Sequence, residues 1–167
     1  MQRAGFTLME LLVVVVIIGV LTSIAVPQYR RTIDRTKAAE AMQMLPALFD
    51  SRERWVEEFQ CLWDGDTGAI YNCDGGENFS AQKIDIETKG TLSGNTITTT
   101  NFVYTLEGAK IPGGKRTYVT AKPRWGGNRG LTAATIYYNG KKFLCNDGGA
   151  QSQHPCDVLN IDDRAGS

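Results

Sequence analysis

Residues Phe6 to Val26 read FTLMELLVVVVIIGVLTSIAV, an apolar run broken by one charge, Glu10. As an α-helix rising about 1.5 Å per residue, it spans the roughly 30 Å hydrocarbon core of a bilayer. No face of the run is polar, which excludes an ordinary amphipathic helix lying on a soluble core. A secretory signal peptide has a shorter apolar core followed by small residues at its cleavage site. Here Pro27, Gln28 and Tyr29 lead straight into a helix-like pattern, so the run is expected to stay in the protein as a membrane-inserted helix. The chain as a whole has the composition of a folded protein, with 42% hydrophobic and 22% charged residues. Lys+Arg and Asp+Glu both number 18, a balance that argues against a chain built chiefly to coat nucleic acid.

Glu10 needs a reason to be where it is. A carboxylate at the centre of a membrane helix costs on the order of 2.5–3.5 kcal/mol, and less towards an end, so it is expected to have a partner. The nearest basic residue before it, Arg3, lies outside the apolar run. A cut just before Phe6 would create an α-ammonium four positions from Glu10. Within one helix that amine sits against the positive end of the dipole. The pairing is therefore better explained between two copies shifted along the helix axis. Further on, Gly19 and Pro27 bound the softest part of the segment. Thr22 and Ser23 between them can bond back to the backbone, so a curved or locally unwindable helix is expected there.

Met1–Gly5 (MQRAG) followed by FTLMELLVVVVIIGVLTSIAVPQY closely resembles the N-terminus of type IV pilins and type II secretion pseudopilins. The shared features are a short basic leader ending in Gly5, Phe6 as the first mature residue, Glu10, the internal Gly19 and the later Pro27. The resemblance implies cleavage between Gly5 and Phe6 by a prepilin peptidase, and N-methylation of Phe6. It further implies single-pass storage in the inner membrane, with the lipid bilayer as first partner. The inner-membrane assembly machinery and minor pilins would then draw copies of the chain into a self-assembled filament with a core of these helices. That filament would be an extracellular pilus or fimbrium serving adhesion, twitching motility or DNA uptake, or a periplasmic pseudopilus. The implied division is a leader at 1–5, a transmembrane and filament-core helix at 6–30, and a globular head at 31–167.

Beyond Pro27 the pattern becomes amphipathic. Ile33, Ala41, Met44, Leu45, Leu48, Trp55 and Phe59 recur at helical spacing, with Arg30, Arg31, Asp34, Arg35, Lys37 and Glu40 between them. A helix from Phe6 to about Phe59 would be on the order of 80 Å long. Pro46 should bend or split it, with Leu48, Trp55 and Phe59 still facing the sheet. β-rich runs follow at Thr96–Leu106, Thr117–Lys122 and Thr132–Tyr138. Asn139-Gly140 then signals a type I′ hairpin with Lys141–Cys145 as the return strand. The expected fold is α+β: a long N-terminal helix packed on a C-terminal antiparallel meander, as in type IV pilins.

Four cysteines allow three connectivities. Sequential pairing, Cys61–Cys73 and Cys145–Cys156, closes two short loops worth about 3 kcal/mol each, and it is the pairing expected. The close C-x₂₋₄-C spacing of a zinc site is absent, and neither metal nor cofactor is expected. Disulfides imply an oxidising compartment. From residue 109 to 146 the chain has Lys110, Lys115, Arg116, Lys122, Arg124, Arg129, Lys141 and Lys142 and no acid, with Tyr118, Trp125, Tyr137 and Tyr138 interleaved. The region before it is acidic, with Asp64, Asp74, Glu77 and Asp85 among others. One reading is a DNA-binding minor pilin, with cations on phosphates and aromatics on bases. The preferred reading is a dipolar head whose basic side meets the acidic side of the next copy. His154 is the single histidine, and no acid, base and nucleophile assemble around it, so the chain is expected not to be an enzyme.

Overall fold

The computed structural model describes residues 7–64, 67–110, 117–127, 131–148, 155–159 and 161. One helix, α1, runs unbroken over Leu8–Glu58. Its 51 residues make a rod of roughly 75 Å. Every residue from Leu8 to Ile33 is exposed. A buried stripe then begins, formed by Asp34, Ala38, Ala41, Leu45, Leu48, Ser51, Arg52, Trp55 and Val56 at steps of three and four. Ile33 lies outside this stripe at 36% exposure, while Met44 and Phe59 pack along its margin. The helix does not split at Pro46. Proline costs about 3 kcal/mol in a helix interior, but Leu45 and Leu48 on either side are fully buried, each worth about 1.5–3 kcal/mol. Packing on both sides holds the rod together.

After α1 the chain forms a small antiparallel pair, β1 (Leu62–Trp63) and β2 (Ile70–Tyr71). Six strands follow: β3 (Thr91–Ser93), β4 (Thr96–Thr98), β5 (Phe102–Lys110), β6 (Thr117–Pro123), β7 (Thr135–Tyr138) and β8 (Phe143–Asn146). They pair in sequence order as one antiparallel meander, and a short helix α2 (Pro155–Val158) comes after it. The helix lies across β5, β6 and β7. Alternation decides which side chains meet it. Phe102, Tyr104, Leu106, Val119, Ala121, Ile136 and Cys145 join the helix stripe in one core. Tyr118, Tyr137 and Leu144 form a separate cluster on the other face. The fold is α+β, a long N-terminal helix packed on an antiparallel meander.

Two sequence expectations need correction here. Thr96–Leu106 is not one strand, because the chain reverses at residues 99–101. Thr99 Oγ1 accepts from the Phe102 amide at 3.1 Å and Thr99 N donates to the Phe102 carbonyl at 2.9 Å, closing a hairpin inside a run of β-formers. Asn139-Gly140 is not a type I′ turn, since Tyr138 pairs with Phe143 and leaves four residues in the loop. Asn139 instead caps the loop, its Oδ1 accepting from the Lys141 and Lys142 amides at 3.0 and 2.9 Å. Gly140 alone has positive φ (82°), and a Cβ there would stand 2.7 Å from the Phe49 ring. The glycine serves the approach of α1 to the sheet.

Arg52 is the largest fully buried side chain. Its Nη1 donates to the Leu106 carbonyl at 2.9 Å and its Nη2 to Glu53 at 2.8 Å. The guanidinium lies over Phe49 and Trp63 at 4.6 and 4.8 Å from the ring centres. Burial lowers its pKa and Glu53 opposes that shift. It remains a cation, since arginine does not deprotonate in proteins. Truncation would leave a cavity and an unpaired carbonyl. Arg52→Ala is expected to cost about 3 kcal/mol in urea unfolding of the detergent-solubilised chain.

Candidate assembly and anchoring surface

The N-terminal end of α1 is a capping box. Thr7 Oγ1 accepts from the Glu10 amide at 3.2 Å, and Glu10 Oε2 accepts from the Thr7 amide and hydroxyl, both at 3.4 Å. Glu10 thus folds back over the first turn, where the helix dipole favours a negative charge. A carboxylate has about four acceptor sites, and these long bonds leave capacity for a stronger donor. Gly5 and Phe6 lie outside the described residues.

From Leu8 to Val26 the helix presents apolar side chains on every side. Its most apolar 18-residue window has a mean hydropathy of 2.7, and none of that window is buried. The polar groups within it are already used: Thr22 Oγ1 donates to the Ile18 carbonyl at 2.8 Å, and Ser23 Oγ donates to the Val20 carbonyl at 2.7 Å. Gly19 faces open space, with nothing within 4 Å of where a Cβ would stand. Both Gly19 and Pro27 are inside the continuous helix.

The head is clipped to the lower end of the amphipathic half by polar side chains. Trp125 Nε1 donates to Asp34 at 2.8 Å, and Lys37 lies over the same indole at 5.2 Å. Glu40 accepts from Asn101 Nδ2 at 2.6 Å, Thr99 Oγ1 at 3.1 Å and the Tyr104 hydroxyl at 3.4 Å. Burial pushes the Tyr104 phenol well above its usual pKa, and the Glu40 charge adds to the shift. Asp34, read from the sequence as an outward charge, is 1% exposed. It stands four, seven and eleven positions before Ala38, Ala41 and Leu45. That in-phase spacing was the available signal.

At the upper end, Arg54 makes a forked contact with Asp85 at 2.8–3.1 Å, and Ser51 also donates to that carboxylate. Lys83 pairs with Glu77. Two acids of the expected acidic side are therefore neutralised within the chain. Cys61 is bonded to Cys73 and Cys145 to Cys156. Asp147 lies beside the second pair, but sulfurs bonded to each other are not metal-binding thiolates. Lys115, Arg116 and Arg129 lie outside the described residues. Lys122, Arg124, Lys141 and Lys142 are exposed. Val119 pairs with Tyr138 and Ala121 with Ile136, so Lys141 and Lys142 sit beyond the start of β6 while Arg124 follows its end. These four cations do not form one patch.

Residues 1–26 match the prokaryotic N-terminal methylation motif. The type IV major fimbrial protein FimA of Dichelobacter nodosus (strain VCS1703A) is 35% identical over 77 residues, covering 45% of this chain and 48% of FimA. The type IV major pilin protein PilA of Myxococcus xanthus (strain DK1622) is 43% identical over 57 residues, covering 34% and 26%. A fimbrial protein of Pseudomonas aeruginosa is 44% identical over 56 residues, covering 34% and 36%. Over up to about half of its length the chain is similar to type IV pilins. It spans about half the length, or less, of these pilin-type proteins. No solved structure matches it. The methylation motif ends within the apolar half of α1, so the head is described by its own geometry.

Asp85 gives that head a pH dependence. The Arg54 hydrogen bonds, helped by Ser51, hold its carboxyl at about 2 against an ordinary 3.8. A depressed carboxylate stabilises the fold above its unfolded pKa and ceases to do so as the pH falls through its folded one. Asp85→Asn is expected to lower the unfolding midpoint at pH 7. The difference from the parent chain should shrink between pH 4 and 2 and vanish below that range, as followed by circular dichroism.

Proposed function

We propose that the chain is a structural subunit of a type IV pilus or pilus-like filament. It is stored in the inner membrane, cut between Gly5 and Phe6, N-methylated at Phe6, and then assembled by packing its apolar helix against those of other copies. One observation carries this reading: the first half of α1 is apolar on every side and exposed at every position from Leu8 to Val26. Burying one large aliphatic side chain is worth about 1.5–3 kcal/mol. A run of this length therefore cannot be left in water. Lipid before assembly and sibling helices after it satisfy the same surface. Gly19, without a side chain to fill its place, suits close approach of a neighbouring helix.

In the assembled state Glu10 exchanges its weak capping bonds for the methylated amine of an adjacent copy. The names of the relatives, fimbrial protein and major pilin, favour a pilus over a type II secretion pseudopilus. Separation of the described cations favours contacts with other copies over a nucleic-acid surface.

Glu10→Val is expected to leave leader removal intact while cutting the yield of sheared surface filaments at least tenfold. Normal yield would refute the amine pairing. Gly5→Ser should leave the leader on the chain, and a mature mass beginning at Phe6 in that variant would count against the cleavage site. Mass spectrometry of sheared fibres reads cleavage, the methyl group and the oxidised cysteines together.

A further inference from the structure

Directly above the apolar run, the underside of the head and the helix enclose a cleft of about 200 Å³. Val26, Pro27, Arg30, Arg31 and the edge of Asp34 form its helix wall, and Leu131 and Val158 form its roof. The two arginines are exposed, and among the described residues neither makes a hydrogen bond or ion pair. Arg35 and Lys37 continue the positive charge on the next turn. Asp34, the single acid between Pro27 and Lys37, is buried and held by the Trp125 indole. Tyr29, between Pro27 and Arg30 on the same turn of helix, is 68% exposed.

We propose that this cleft binds the phosphate of an anionic phospholipid in the leaflet from which the head projects. The inference rests on the membrane-stored reading above and adds the lipid class to it. Depth is the first argument. Leu8–Val26 fills roughly 28 Å of hydrocarbon, so Pro27 to Arg31 stand at the level of the headgroups, where a tyrosine also belongs. Chemistry is the second. Guanidinium groups match phosphate oxygens with forked donors, and the apolar roof and wall match the glycerol and the first carbons of the acyl chains. Charge is the third. Within helix residues 27–37 four cations stand against one buried acid, in a chain whose total is balanced, and juxtamembrane cations are drawn to anionic lipid.

The test uses the full chain reconstituted in phosphatidylcholine vesicles, with spin-labelled phosphatidylglycerol or spin-labelled phosphatidylcholine as the probe. The expected result is preferential immobilisation of the phosphatidylglycerol label, about fivefold for each engaged cation, falling as salt is raised. Arg30→Gln with Arg31→Gln should abolish the preference, and Arg30→Lys with Arg31→Lys should retain part of it, with the unfolding midpoint of the head unchanged in both. Equal immobilisation of the two labels overturns the proposal, as does a preference that survives the glutamine pair. Loss of the preference on adding inorganic phosphate at constant ionic strength would mark a free-anion site and overturn the lipid assignment. Co-flotation with phosphatidylcholine vesicles is read in parallel. Flotation without lipid preference sinks the headgroup site alone, whereas failure to float sinks the membrane reading and the site with it.

Discussion

The constraint on which everything else depends is that the apolar half of α1 lies exposed among the described residues. A helix satisfies its backbone internally, which is why it can stand in hydrocarbon. Its apolar side chains from Leu8 to Val26 still require a non-aqueous surrounding. The head cannot supply it, because the sheet reaches the helix only from Asp34 onward. Continuity through Pro27 then fixes the geometry. Wherever the apolar half is held, the head stands on a rigid extension of the same rod.

The junction between rod and head is more polar than an ordinary helix–sheet contact. An apolar stripe from Ala38 to Val56 supplies the burial. Charged groups at intervals along it supply the register: Asp34 to Trp125, Glu40 to the β4–β5 hairpin, Arg52 to β5, and Arg54 to Asp85. Hydrophobic packing alone is non-directional and would tolerate sliding by a turn. A buried charge separated from its partner would not, and Asp34 and Arg52 are such charges. These contacts therefore specify one rotation and one height of the helix on the sheet.

Much of this was readable from the residues. The apolar run, the amphipathic stripe beyond it and the meander follow from periodicity, and the N-terminal pattern matches the methylation motif. The misreadings have physical causes. Asp34 reads as a surface charge because sequence reports polarity and not the indole that meets it across the fold. Arg52 escaped notice for the same reason, since its partners lie on Phe49, Trp63 and Leu106. Thr96–Leu106 looked like one strand because Thr99, Thr100 and Asn101 include two good strand formers, and the turn is set by the Thr99–Phe102 bonds. Asn139-Gly140 carried a hairpin signal, yet the glycine was answering to Phe49. The pocket beneath the head could not be foreseen, since Leu131 and Val158 meet Arg30 only through the fold.

The two disulfides close only local loops, one just after the helix and one after the last strand. No covalent bridge joins the rod to the sheet. A pull along the rod, resisted at the sheet, is therefore borne in shear by packing and by the charged clips. Should those yield, the segment between Cys73 and Cys145 can pay out roughly 240 Å of extended chain before the second crosslinked loop takes the load. Under tension such a subunit behaves as a fuse with a long tether coiled behind it.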